Sequence, residues 1–144
     1  LFSQIEGEYQ ERLAACQLTL VTQPPAPGTV IRADSRLLSR VMDNLVSNIC
    51  KYALPSTRVY VVSTLSREAV TISFKNVSRD ELNISPDELM ERFVRGDTSR
   101  HTEGSGLGLS IVRSLVQLMG GTFRLSIDAD LFRADVTLPL VQQD

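Results

Sequence analysis

Residues 104–121 read GSGLGLSIVRSLVQLMGG, three glycines within five positions running straight into an apolar helical pattern that a glycine pair closes. The spacing predicts a helix over 106–119 with Gly120 and Gly121 as its C-terminal cap. A helix N-terminus presents unpaired N–H groups and roughly half a positive charge, so bare backbone at 104, 106 and 108 lets an anion approach closely. The phosphates of a nucleotide are the obvious anion. The segment is not a P-loop, because no Gly-Lys-Ser/Thr follows. Nor is it a dinucleotide fingerprint, because the spacing is GxGxG and an irregular loop stands where a strand should precede it. On spacing alone, a tight turn with a close helix contact is an equal alternative.

The chain has 144 residues, with 42% hydrophobic and 22% charged, the size and balance of one globular domain. Fifteen Lys+Arg against seventeen Asp+Glu leave a formal charge of −2, which is no footprint for nucleic acid or an anionic membrane. Cys16 and Cys50 lie in apolar settings without CxxC spacing, and His101 is the only histidine. Structural zinc is therefore not expected, and a reducing cytosol is the simplest home. The sequence opens at LFSQIEGEYQERL without Met or a signal-like segment and reads as a piece of something longer.

Along the chain, 1–13 is a weakly helical lead-in. Residues 17–22 alternate with period two and read as a strand, QPPAPG breaks the chain, and TVIRA (29–33) reads as a second short strand. Asp34 is a good N-cap for a helix to about Ala53, with Leu38, Met42, Leu45, Val46 and Ile49 at helical spacing. Residues 57–65 and 69–76 make a hairpin. Ser85-Pro86-Asp87-Glu88 opens a short helix ending near Phe93, and 94–105 carry no apolar period. TFRLSI and LFRADVTLP form a closing hairpin around DAD. Strand pairs alternating with long helices predict an α/β two-layer sandwich, one sheet with helices on one face.

Two further stretches carry chemistry. At about 100° per residue, Asn44, Asn48, Lys51 and Tyr52 share one stripe at the edge of the apolar face. Asparagine is a poor helix-interior residue, so two at i and i+4 call for partners. An amide oxygen suits Mg²⁺, a lysine suits phosphate, and a tyrosine can lie against a base. Hydrogen bonds to a neighbouring strand, with Lys51 solvated, are the plainer alternative. Arg92, Arg95, Arg100 and His101 precede the glycines, where a lid could bring positive charge over a polyphosphate; a solvated loop is equally open.

Together these stretches resemble the ATP-binding catalytic domain of bacterial sensor histidine kinases, a branch of the superfamily of gyrase, heat-shock chaperone and mismatch-repair ATPases. NLVSNICKY looks like the N box, RFVRGD like the F box, GSGLGLSIV like the G2 box, and GGTFRLSIDADLFRADVTLP like the closing hairpin. The resemblance spans nearly the whole chain. It implies the Bergerat ATP-binding fold, a mixed, mostly antiparallel sheet covered on one face by about three helices. It also implies ATP and Mg²⁺ as cofactors. Asn48 would bind Mg²⁺, Asn44 would support the triphosphate, Lys51 would meet phosphates and Tyr52 would border adenine. Phe93 would anchor a lid over 94–105 that includes Arg95 and Arg100. Gly104, Ser105, Gly106, Leu107, Gly108 and Leu109 would line the phosphates.

One block departs from the pattern. The G1 box, normally Asp-x-Gly-x-Gly after a strand, falls at KNVSRDE, which has no glycine. Asn76 stands where the adenine-binding aspartate is expected, and its amide oxygen can accept the same bond without charge. A neutral acceptor typically gives a bond weaker by about 1 kcal/mol, so reduced adenine affinity is expected. The hydrolysing relatives carry a glutamate base four residues before the metal-binding asparagine; Asn44 occupies that position, which favours phosphoryl transfer over hydrolysis. The expected function is donation of the γ-phosphoryl group to a histidine on an upstream dimerisation domain, and thence to a response regulator. The parent would be a membrane-anchored homodimer with this domain in the cytoplasm, a monomer by itself, with no nucleic-acid partner. Rival readings are a nucleotide-blind interaction module on the same scaffold and a hydrolysing ATPase of the superfamily.

Overall fold

A computed structural model of the chain describes residues 5–26, 28–29, 31, 33–80, 85, 88 and 107–141. A π-helical turn, Ile5–Tyr9, leads into α1 (Gln10–Ala15). Then come β1 (Leu18–Gln23), α2 (Ser35–Tyr52), β2 (Thr57–Leu65), β3 (Ala69–Val77), α3 (Leu107–Leu118), β4 (Thr122–Asp128) and β5 (Leu131–Pro139). The strands form one sheet in the order β1-β2-β3-β5-β4, parallel between β1 and β2 and antiparallel elsewhere. This is the expected mixed, mostly antiparallel sheet, and α1, α2 and α3 cover one of its faces.

Period-two alternation decides which residues meet the helices. Val59 and Val61, Ile72 and Phe74, Phe123 and Leu125, and Ala134, Val136 and Leu138 point inward and are buried. Against them α2 buries Leu38, Val41, Met42, Leu45, Val46 and Ile49, while α3 buries Leu109, Val112, Leu115 and Val116. Each of these side chains larger than alanine contributes roughly 1.5–3 kcal/mol of transfer free energy. The opposite face is polar. There Asp135 accepts from Ser73 Oγ at 2.6 Å and Arg133 Nε at 2.8 Å, and Thr71 pairs with Thr137 at 2.9 Å across the strands. No helix among the described residues is long and apolar enough to cross a membrane.

The caps fall where the sequence put them. Asp34 accepts from Arg36 N at 2.8 Å and Leu37 N at 3.4 Å, and those two donors hold its carboxyl below the ordinary range. At the end of α3, Gly120 takes φ +79° and the Gly121 N–H donates to Val116 O at 3.0 Å. In the short helix expected near residue 85, the Glu88 N–H donates to Ser85 Oγ at 3.1 Å; the rest of that segment lies outside the described residues.

The strand expected over TVIRA does not form among the described residues. Ile31 makes a single antiparallel bridge with Leu140, one residue past the end of β5, and among the described residues no strand runs on from there for the pairing to follow. The lead-in is more integrated than its weak helical pattern indicated. Tyr9 and Leu13 are buried members of the core, at 3% and 1% exposure.

Candidate functional site

The second half of α2 carries Asn44, Asn48, Lys51 and Tyr52, all half-buried, at the border between the apolar face and solvent. That border position is what the helical stripe predicted. The Asn44 amide Nδ2 donates back to Arg40 O at 2.8 Å, one turn earlier in its own helix. Asn48 is half-buried and makes no side-chain hydrogen bond with a described residue.

The end of β3 is laced to the end of this helix. The Leu54 N–H donates to Val77 O at 2.8 Å, Ala53 bridges Ser78, and the Arg79 N–H donates to Tyr52 O at 2.8 Å. Arg79 Nη2 also donates to Lys51 O at 2.7 Å. The last carbonyls of a helix have no intrahelical donor, and Arg79 satisfies two of them. Sequence reading missed Arg79. An arginine just past a strand carries no helix-cap signal until the fold brings it to the end of another element.

Asn76 lies immediately before this junction, opposite Phe132 of β5. It shares the helix-facing side of β3 with Ile72 and Phe74, yet it is polar and 3% exposed. Its Oδ1 is buried without a hydrogen-bond partner. A buried acceptor left unpaired costs about 1–3 kcal/mol, which a strand would not ordinarily carry for packing alone. The sequence identified this position only through the neighbouring G1 pattern; its orphaned oxygen is a property of the fold.

Helix α3 begins at Leu107, so the glycine-rich stretch runs directly into its N-terminus and Gly108 sits in its first turn. Leu109 is buried at 1% exposure, so its side chain anchors that turn in the core. Phe93, Arg95, Arg100, Gly104, Ser105 and Gly106, with the 94–105 lid, lie outside the described residues. Among the described residues, no group of three or more His, Cys, Asp or Glu side chains is gathered into a metal site.

On the flank of α2 next to this stripe, the Tyr9 hydroxyl donates to Asp43 Oδ1 at 2.7 Å, and Arg12 donates to Asp43 at 3.2 Å and Ser47 Oγ at 3.1 Å. Burial first, then the Asp43 hydrogen bond and charge, push the Tyr9 phenol well above its ordinary range. The lead-in therefore grips the helix that carries the site.

Residues 33–142 match the family model described as "Histidine kinase-, DNA gyrase B-, and HSP90-like ATPase". The chain belongs to this ATPase family. Among curated relatives, the sensor histidine kinase HprS of Escherichia coli K12 is 37% identical over 115 residues, covering 76% of this chain and 24% of that protein. The sensor protein VanS of Enterococcus faecium is 31% identical over 123 residues, 82% of this chain and 31% of that one. The family domain seen here thus spans under a third of either relative. Its fold matches the catalytic domain of the histidine kinase ThkA with a TM-score of 0.79 at 20% identity, covering 95% of this chain and 88% of that one. Full-length ShkA in complex with AMPPNP matches with a TM-score of 0.72 at 22% identity, covering 98% and 29%.

Proposed function

We propose that this ATPase-family domain is the ATP-binding catalytic unit of a sensor histidine kinase. It binds Mg–ATP and donates the γ-phosphoryl group to a histidine on an upstream helical dimerisation domain, from which the group passes to a response regulator. The observation that carries this reading is the orphaned, buried Asn76 oxygen beside the last turn of the helix bearing Asn44, Asn48, Lys51 and Tyr52. The kinase names of the relatives point the same way. The parent would be a membrane-anchored homodimer holding this unit in the cytoplasm.

In this reading Asn76 accepts from the adenine amino group, Tyr52 borders the base and Lys51 places a cation toward phosphate. The residues fit a divalent cation held mainly by ligand phosphates, because the half-buried Asn48 offers one hard amide oxygen and no carboxylate cluster is gathered among the described residues. Bound Mg²⁺ would neutralise phosphate charge as it develops. The glycine-opened start of α3 supplies backbone N–H groups to the phosphates. A phosphorus–oxygen bond to the β-phosphate breaks, a phosphorus–nitrogen bond to imidazole forms, and ADP leaves. The protein's share is positioning and charge stabilisation.

Hydrolysis is disfavoured in this reading because the residue one turn before Asn48 is Asn44, a neutral amide turned back onto Arg40 O. It cannot take a proton from water. Calorimetric titration with AMPPNP, with and without Mg²⁺, tests the proposal. Mg²⁺-dependent binding is expected, and Asn48→Ala should abolish that dependence while leaving the thermal unfolding of the free protein unchanged. An Asn48→Ala variant that bound Mg–AMPPNP as well as the parent would remove the metal assignment. No binding at millimolar ligand would leave a nucleotide-blind interaction module.

A further inference from the structure

The Asn76 amide differs from a carboxylate in one respect that matters for recognition. A carboxylate only accepts hydrogen bonds, whereas an amide carries an acceptor oxygen and a donor NH₂ that exchange places on a half-turn about its terminal torsion. Asn76 is 3% exposed, and no hydrogen bond from a described residue pins its Oδ1. Its neighbours on this face of the sheet are apolar: Phe74 two residues earlier is 1% exposed, and Phe132 opposite is 8% exposed. Ser78, the next inward-facing polar residue, is occupied locally, its Oγ accepting from Asp80 N at 3.3 Å. Among the described residues, no hydrogen bond fixes which end the amide presents.

We infer that Asn76 makes the base site indifferent to the substituent at purine position 6, so that the domain binds guanosine as well as adenosine triphosphate. The inference rests on the nucleotide-site reading above. Adenine presents an amino donor at that position, which Oδ1 accepts. Guanine presents a carbonyl acceptor in the same place, which Nδ2–H meets after the half-turn. With an acceptor-only group at residue 76, guanine would set two acceptors face to face in a buried setting, and rejection of a ligand by unpaired buried groups is the strongest source of discrimination a site has.

The test is calorimetric titration of the chain with the Mg complexes of AMPPNP and GMPPNP, on the parent and on Asn76→Asp. The parent is expected to bind both analogues within about tenfold of each other, and Asn76→Asp to keep AMPPNP while losing GMPPNP by a further tenfold or more. AMPPNP binding with GMPPNP weaker by a hundredfold or more in the parent would overturn the inference and leave the nucleotide site standing. Binding of neither would remove the nucleotide site itself. An unchanged ratio in a folded Asn76→Asp would show that another residue reads the base. Asn76→Ala guards against a carboxylate that prevents folding: it should weaken both analogues alike, and a selective loss of one would overturn the inference.

Discussion

Cys50 lies in α2 between Asn48 and Lys51, the two residues assigned to metal and phosphate, yet its own chemistry points away from reactivity. Burial, then the neighbouring Cys16 thiol, push it up to about 12. Its Sγ lies 3.8 Å from Arg12 O, a weak hydrogen bond that also favours the protonated form. The thiolate is the nucleophile, so iodoacetamide at pH 8 should alkylate Cys50 roughly a hundredfold more slowly in the folded protein than in urea, after allowing for the greater nucleophilicity of a high-pKa thiolate. Peptide mass spectrometry of a quenched time course reads this directly; equal rates in both states would place the thiol in solvent. The same shift makes stability pH-dependent. An unfolded thiol ionises near 8.5, so the contribution is fully present below about pH 8.5 and is lost as pH rises toward 12.

Among the elements, the end of α3 shows why two adjacent glycines are not interchangeable. Gly120 needs a left-handed backbone, φ +79°, and has open space around it. Gly121 has an ordinary backbone, but a Cβ there would sit 2.1 Å from Thr137 O and 3.0 Å from Leu138 Cδ2. A backbone carbonyl in a central β5 ladder cannot step aside cheaply. Gly121→Ala should therefore cost about 3 kcal/mol, the upper part of the overpacking range, and Gly120→Ala only about 1 kcal/mol. Chemical denaturation of the two variants checks the order, and a Gly121→Ala as stable as Gly120→Ala would contradict it. The pair was legible in sequence as a helix stop because a C-terminal glycine is a local signal. The close approach to Thr137 was not, since it depends on β4 folding back along β5. The same distinction separates α2 from TVIRA. Helical period and the Asp34 cap are carried within one segment, whereas strand alternation at 29–33 needed a partner strand and met only the single bridge to Leu140, past the end of β5.

At the scale of the whole molecule, the site helix is held from two sides. One side is the sheet, through the Arg79 and Leu54 bonds to the end of β3 and α2; the other is the lead-in, through Tyr9, Arg12 and Leu13. The polar part of the lead-in contact is worth little by itself, because Arg12 and Asp43 side chains are 43% and 57% exposed and such pairs contribute about 0–1 kcal/mol. Leu13 decides the matter. At 1% exposure it belongs to the same core cluster as Met42, Leu45 and Ile49 of α2, so α1 unfolds with the domain rather than before it. Leu13→Ala should cost about 2–4 kcal/mol and lower Tm by roughly 10 °C, with one cooperative transition retained. Glu11→Ala, on the exposed side of the same helix, should leave Tm within about 2 °C, since exposed substitutions away from special contacts change stability by under 0.5 kcal/mol. Differential scanning calorimetry distinguishes the two architectures. If Leu13→Ala left Tm unchanged, the lead-in would be an independent segment resting on the domain. If it lowers Tm as expected, the lead-in belongs to the same cooperative unit as α2, because Leu13 packs in the core that α2 buries.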